Sequence, residues 1–182
     1  PSEMPPPVQL HNLLTSLSDA LQILNIRSLT HGFVLPANIL IFNASSIKPH
    51  YKLLDVALLS KHSNLYERMM VDKNFFGPLD YRLLKGYESK DFSLSYGTED
   101  DVWGLGVSAL CFLFKEDFNS FYDWNKFRIR KDKIDSYLQT LYKMNYNQQL
   151  VRLLSEMLDV NPITRIKLSQ LCESLRLKFG SF

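Results

Sequence analysis

Few residues of this chain are placed to do chemistry on a bound group. Cys111 and Cys172 are its two thiols. One stands in an apolar run and the other in a helical pattern, and neither has a metal-ligating neighbour at useful spacing. Two buried free thiols are the expected state, fitting a reducing compartment; a bridge between them is the alternative. Lys126, Arg128, Arg130, Lys131 and Lys133 form a basic cluster, a candidate for anion binding. Asp123, Asp132 and Asp135 interrupt it and the net charge is only +2, so a solvated face is expected and a nucleic-acid partner is not. The other polar candidates, His31, Asn38, Asp55, Asp80, Asp101 and Arg165, are spread along the chain, so only a fold can assemble them.

The elements that must do so are mainly helical. The chain has 182 residues, of which 46% are apolar, enough to bury one core without disulfides or metal. Residues 1–7 are proline-rich and read as a linker, and residues 8–182 read as one domain without internal repeats. A start at Pro1 fits a fragment of something longer. Leu10, Leu13, Leu14, Leu17, Leu21 and Leu24 lie at helical spacing and predict an amphipathic helix from Val8 to Ile26. Two short apolar segments, from Ile39 to Phe42 and from Tyr51 to Leu54, predict a hairpin closed by turn-forming residues. From Asp55 to about Asp80 there is little periodicity, and an ordered loop with local helical turns is expected. The segment from Glu99 to Phe114 is apolar on nearly all sides and predicts a central helix, capped by Asp100 or Asp101. Helices are also expected from Lys133 to Met144, Asn147 to Leu158 and Leu168 to Leu177, with a break at Asn161-Pro162. The longest apolar stretch, around Val102 to Phe114, is shorter than the roughly 20 residues of a membrane crossing, and no secretory signal is visible.

Four segments in order resemble the C-terminal lobe of eukaryotic protein kinases. His31-Gly32-Phe33-Val34-Leu35-Pro36-Ala37-Asn38-Ile39-Leu40 is similar to the catalytic loop, H-R-D-L-K-P-x-N-I-L. Lys52-Leu53-Leu54-Asp55-Val56-Ala57 stands where the metal-binding D-F-G triplet is expected. Asp101-Val102-Trp103-Gly104-Leu105-Gly106-Val107 is similar to the start of the central helix, D-V-W-S-L-G-V. The run from Met157 to Arg165 is similar to the penultimate helix and the arginine that follows it. The resemblance covers nearly the whole chain after the proline tract. It implies a kinase C-lobe-like helical domain with a small β-hairpin, the N-lobe being absent from this chain.

The departures from the pattern decide the function that the resemblance implies. Phosphoryl transfer needs a positioned base, metal ions and a phosphate cradle. The base position is Phe33, which accepts no proton, and the phosphate-contacting lysine is matched by uncharged Leu35. Gly32 replaces the arginine that reads a phosphorylated activation loop. Neither a Gly-rich loop nor a strand lysine in a Val-Ala-Ile context is present. Asn38 and Asp55 keep the polar types of metal-binding positions; without a nucleotide cradle, a loop hydrogen bond for Asn38 and a strand end for Asp55 are expected instead. Val56 and Ala57 remove the pivot on which active kinases switch. No ATP, metal or other cofactor is expected.

The remaining matches read as structural. His31 is expected to pack under the loop, Asp101 to anchor the loop backbone, and Trp103 to fill the core. The segment from Phe75 to Asp80 resembles the Y-x-A-P-E closure, with Leu79 at the glutamate position. Arg165 is therefore expected to find Asp80 or a backbone carbonyl, because a buried unpaired arginine costs about several kcal/mol. These readings imply a noncatalytic pseudokinase C-lobe that serves as a protein-binding scaffold or structural subunit. Its partner would cover the former active-site or N-lobe-facing surface near Phe33, Leu35 and Val56. Allosteric regulation of an active kinase, through the helix from Lys133 and its preceding loop, is the alternative. A phosphotransferase completed by a separate N-lobe is a third reading. An intracellular location, cytoplasmic or cytoskeletal, is expected.

Overall fold

A computed structural model of the chain describes residues 4–54, 79–91, 93–94 and 96–179, without the side chains of Tyr87, Lys178 and Phe179. Mainly helical architecture is what these residues adopt, with two short hairpins beside the helices.

Helix α1 (Pro7–Ile26) starts with proline at its first position, where the missing amide would have had no partner. Leu10, Leu13, Leu14, Leu17 and Leu21 are buried along one face, which packs on the last helix, on the central helix and on β2. The helix stops at Ser28, whose left-handed φ of 56° lets the Leu29 amide reach back to the Leu24 carbonyl at 3.0 Å. The proline tract expected as a linker is docked from Met4 onward. Met4 packs against the core, and the Pro5 carbonyl accepts from the Tyr146 hydroxyl at 3.0 Å.

Strands β1 (Ile39–Phe42) and β2 (His50–Leu53) pair antiparallel, with Ile39 opposite Leu53 and Phe42 opposite His50. The expected hairpin is therefore present, its second strand one residue earlier. After the segment outside the description comes α2 (Tyr81–Ser89), which the apolar periodicity did not reveal. Asp80 caps it, accepting the Leu83 amide at 3.0 Å. Gly86 lies inside α2 because Leu94 packs there: a Cβ on Gly86 would stand 2.3 Å from Leu94 Cδ1.

The central helix α3 (Thr98–Phe114) is buried on nearly all sides, as its composition predicts. It packs against α1, against α5 (Gln148–Met157) and against α6 (Leu168–Phe179). Its N-cap is Gly97, not an aspartate. Asp100 accepts the Gly97 amide at 2.6 Å, the return half of a capping box, while Asp101 points elsewhere. A second hairpin, β3 (Tyr122–Asp123) with β4 (Arg128–Ile129), follows and corrects the expectation of a single one. It leads into α4 (Lys131–Lys143), which begins two residues earlier than predicted. Asn147 caps α5, accepting from the Gln149 and Leu150 amides.

Candidate functional site

The loop between α1 and β1 carries the residues expected to match a catalytic loop, and α3 holds it from below. Asp101, 2% exposed, receives the backbone amides of His31 at 2.8 Å and Gly32 at 2.7 Å on its two carboxylate oxygens. Gly32 sits at φ 72°, a conformation that favours a residue without Cβ. Two turns along α3 from Asp101, Ser108 donates to the Val34 carbonyl at 3.3 Å. Its position seven residues after Asp101, on the same helix face, is the signal that would have marked it in the sequence.

Two polar side chains of the loop, those of His31 and Asn38, bind backbone. His31 is fully buried, its Nδ1 accepts the Phe33 amide at 3.2 Å, and its Nε2 meets the Leu54 carbonyl at 2.7 Å. An acceptor at Nδ1 and a carbonyl at Nε2 define the neutral Nε2–H tautomer, with neither nitrogen left for proton transfer. Asn38 donates through Nδ2 to the Phe33 carbonyl at 3.0 Å, and its own carbonyl accepts the Leu54 amide at 2.8 Å. His31 and Asn38 thus both clamp the loop to the end of β2. Phe33 and Leu35 are half-buried, and Phe33 packs against the core. Asp55, Val56 and Ala57 lie outside the described residues, as do residues 75–78 of the expected closure.

A second cluster ties the start of α3 to the turn after α5. Arg165, 1% exposed, donates to the Glu99 carbonyl at 2.7 Å, the Asp159 carbonyl at 2.9 Å and the Asp80 carboxylate at 3.3 Å. Both partners expected for it, Asp80 and backbone carbonyl, are in contact. Its guanidinium also lies 5.1 Å from the centre of the Trp103 ring, and Trp103 donates to the Tyr122 hydroxyl at 3.0 Å. Arg82 pairs with the buried Asp100 at 2.8 Å. Burial and the nearby Asp80 carboxylate together raise the pKa of Asp100 well above the usual carboxylate range. The roles of Tyr122 and Arg82 were not legible in the sequence, since each is defined by a partner on another element.

Elsewhere, Cys111 and Cys172 are free and buried, and burial pushes the Cys111 thiol up to about 12. In the basic cluster, Lys131 pairs with Asp135, Lys133 with Glu116 and Arg128 with Asp123. Among the described residues no helix is long and apolar enough to cross a membrane, and no three His, Cys, Asp or Glu gather as metal ligands would. No protein-family model and no curated protein matches this chain.

Proposed function

We propose that the chain is the C-lobe of a protein kinase-like domain that no longer transfers phosphate and serves as a protein-binding scaffold or structural subunit of a larger assembly. The observation that carries this reading is the grip of Asp101 on the His31 and Gly32 amides. A buried carboxylate on the central helix fixes the backbone of a loop in the way a catalytic loop must be fixed. The same loop bears Phe33 and Leu35 where a base and a phosphate-binding cation would stand. Its surviving polar groups, His31 and Asn38, bind backbone. On this reading the positioning half of a phosphotransfer site is kept and the reacting half replaced by packing. A loop of this kind offers a rigid, partly apolar surface to a protein partner.

Quantitative mass spectrometry of what co-purifies with the native protein at near-equal amounts tests this. Assembly proteins without a glycine-rich loop and strand lysine are the expected partners; an active kinase at equal amount moves the reading to a kinase regulator. Magnesium-dependent ATP binding that disappears in Asp55→Ala revives the phosphotransferase reading, and phosphate transfer by the same protein refutes the noncatalytic one.

A further inference from the structure

The β1–β2 hairpin combines three features that single out one kind of ligand, and they hold whether or not the chain is kinase-like. The first is a strand edge that no other strand among the described residues pairs with. The Leu54 amide bonds the Asn38 carbonyl, and Leu40 and Phe42 stand opposite Lys52 and His50. The alternation of antiparallel bonding then turns the amide and carbonyl of Ile41 to the outer edge of β1. The second is apolar surface on both sides of that edge. Phe42 is 43% exposed and Ile47 70%, with Leu40, Ile41 and Leu54 also exposed. On the core side, Ile41 borders a cavity of about 150 Å³, lined also by Leu13, Pro36, Tyr51, Phe112 and Glu116, whose carboxylate is paired with Lys133.

The third feature is charge. No Asp or Glu occurs between Asp19 and Asp55, while Arg27, Lys48 and Lys52 do. The Lys52 ammonium lies 5.2 Å from the centre of the Phe42 ring, above β1, and no carboxylate among the described residues pairs with it.

We propose that this hairpin docks an extended segment of a partner protein in which carboxylates alternate with apolar side chains. The segment adds to the edge of β1 through the Ile41 amide and carbonyl. Because side chains of a strand alternate between faces, every second residue points to the cavity and is apolar. The residues between lie beside Leu40 and Phe42, where carboxylates meet Lys52. A bilayer surface fits less well, since lipid neither bonds the Ile41 backbone nor enters a cavity recessed beside it.

The test titrates the whole chain with a pool of synthetic decamers in which Asp or Glu alternates with Ile, Leu, Val or Phe. Amide chemical shifts and anisotropy are the readouts. A matched pool with Lys at the acidic positions and phosphatidylserine vesicles serve as competitors for the assignment. The expected result is saturable binding of the acidic pool, with shifts confined to residues 39–42 and 50–54. Lys52→Glu should weaken it about tenfold, and Lys131→Glu, on another face, should leave it unchanged. Should Lys52→Glu fail to fold by circular dichroism, Lys52→Gln and the loss of affinity with added salt measure the same contact. Equal binding of both pools, shifts elsewhere, no binding at millimolar peptide, or binding of vesicles alone each overturns the proposal.

Discussion

Replacing Asp101 by asparagine changes one atom of the side chain and should destabilise the whole domain. The carboxylate receives two backbone amides, from His31 at 2.8 Å and Gly32 at 2.7 Å, in a site where Asp101 is 2% exposed. Bonds to a charged acceptor contribute about 1.5–3 kcal/mol each. Asparagine keeps one carbonyl oxygen, so one bond survives in a weaker, neutral form. Its NH2 group meets the other amide donor to donor, which removes that bond and leaves a buried N–H unsatisfied, a further penalty of about 1–3 kcal/mol. The expected loss is about 3–5 kcal/mol, a large part of the 5–15 kcal/mol or so that holds a typical domain. Urea unfolding followed by tryptophan fluorescence and far-ultraviolet circular dichroism should show the midpoint fall with an unchanged slope. Native-state hydrogen exchange at the His31 and Gly32 amides should accelerate by more than at the core amides of α3. A loss below about 1 kcal/mol, or an unaltered Gly32 amide, would show that Asp101 does not hold the loop.

Arg165→Ala should cost about 3–5 kcal/mol in the same unfolding assay, because it strands the buried Asp80 and removes the donor from two half-buried carbonyls; a loss no greater than that of an exposed arginine such as Arg152 contradicts the assigned role. Ser28→Gly and Lys115→Gly should each stabilise by about 1 kcal/mol, since both residues end a helix at left-handed φ, 56° and 55°. The two gains should add, because the sites lie at the ends of different helices, and thermal melts of the single and double variants check this. The Lys133 ammonium, then the Tyr137 hydroxyl, donate to Glu116 and lower its pKa from 4.5 to about 2. The stability this gives is complete above 4.5, fades as pH falls and is gone near 2. Glu116→Gln should therefore be less stable than the parent at neutral pH, with the gap closing across that window; a gap independent of pH refutes the assignment.

Long apolar periodicity made α1 and α3 legible from residue types alone. Six leucines at helical spacing leave one face to bury, and a segment such as Val102 to Leu113 that is apolar all round has only the interior open to it. The β1–β2 hairpin was legible because two short apolar runs flank a segment of turn-forming residues. Helix α2 was not, because Gly86 lowers its propensity and is explained only by Leu94 arriving from outside the helix. The two-residue strands β3 and β4 are too short to carry a period. Among the site residues, His31, Asn38, Asp80, Asp101 and Arg165 were singled out by their place in the resemblance, which also implied the loop backbone for Asp101 and Asp80 or a carbonyl for Arg165. Tertiary structure alone decided which atoms meet: the two Asp101 oxygens with the His31 and Gly32 amides, His31 with the Leu54 carbonyl, and Arg165 with Asp80 and two carbonyls together. Periodicity is a local property of the chain, written residue by residue. Hydrogen-bond partners seventy or eighty-five residues away exist only once burial has removed water as the alternative.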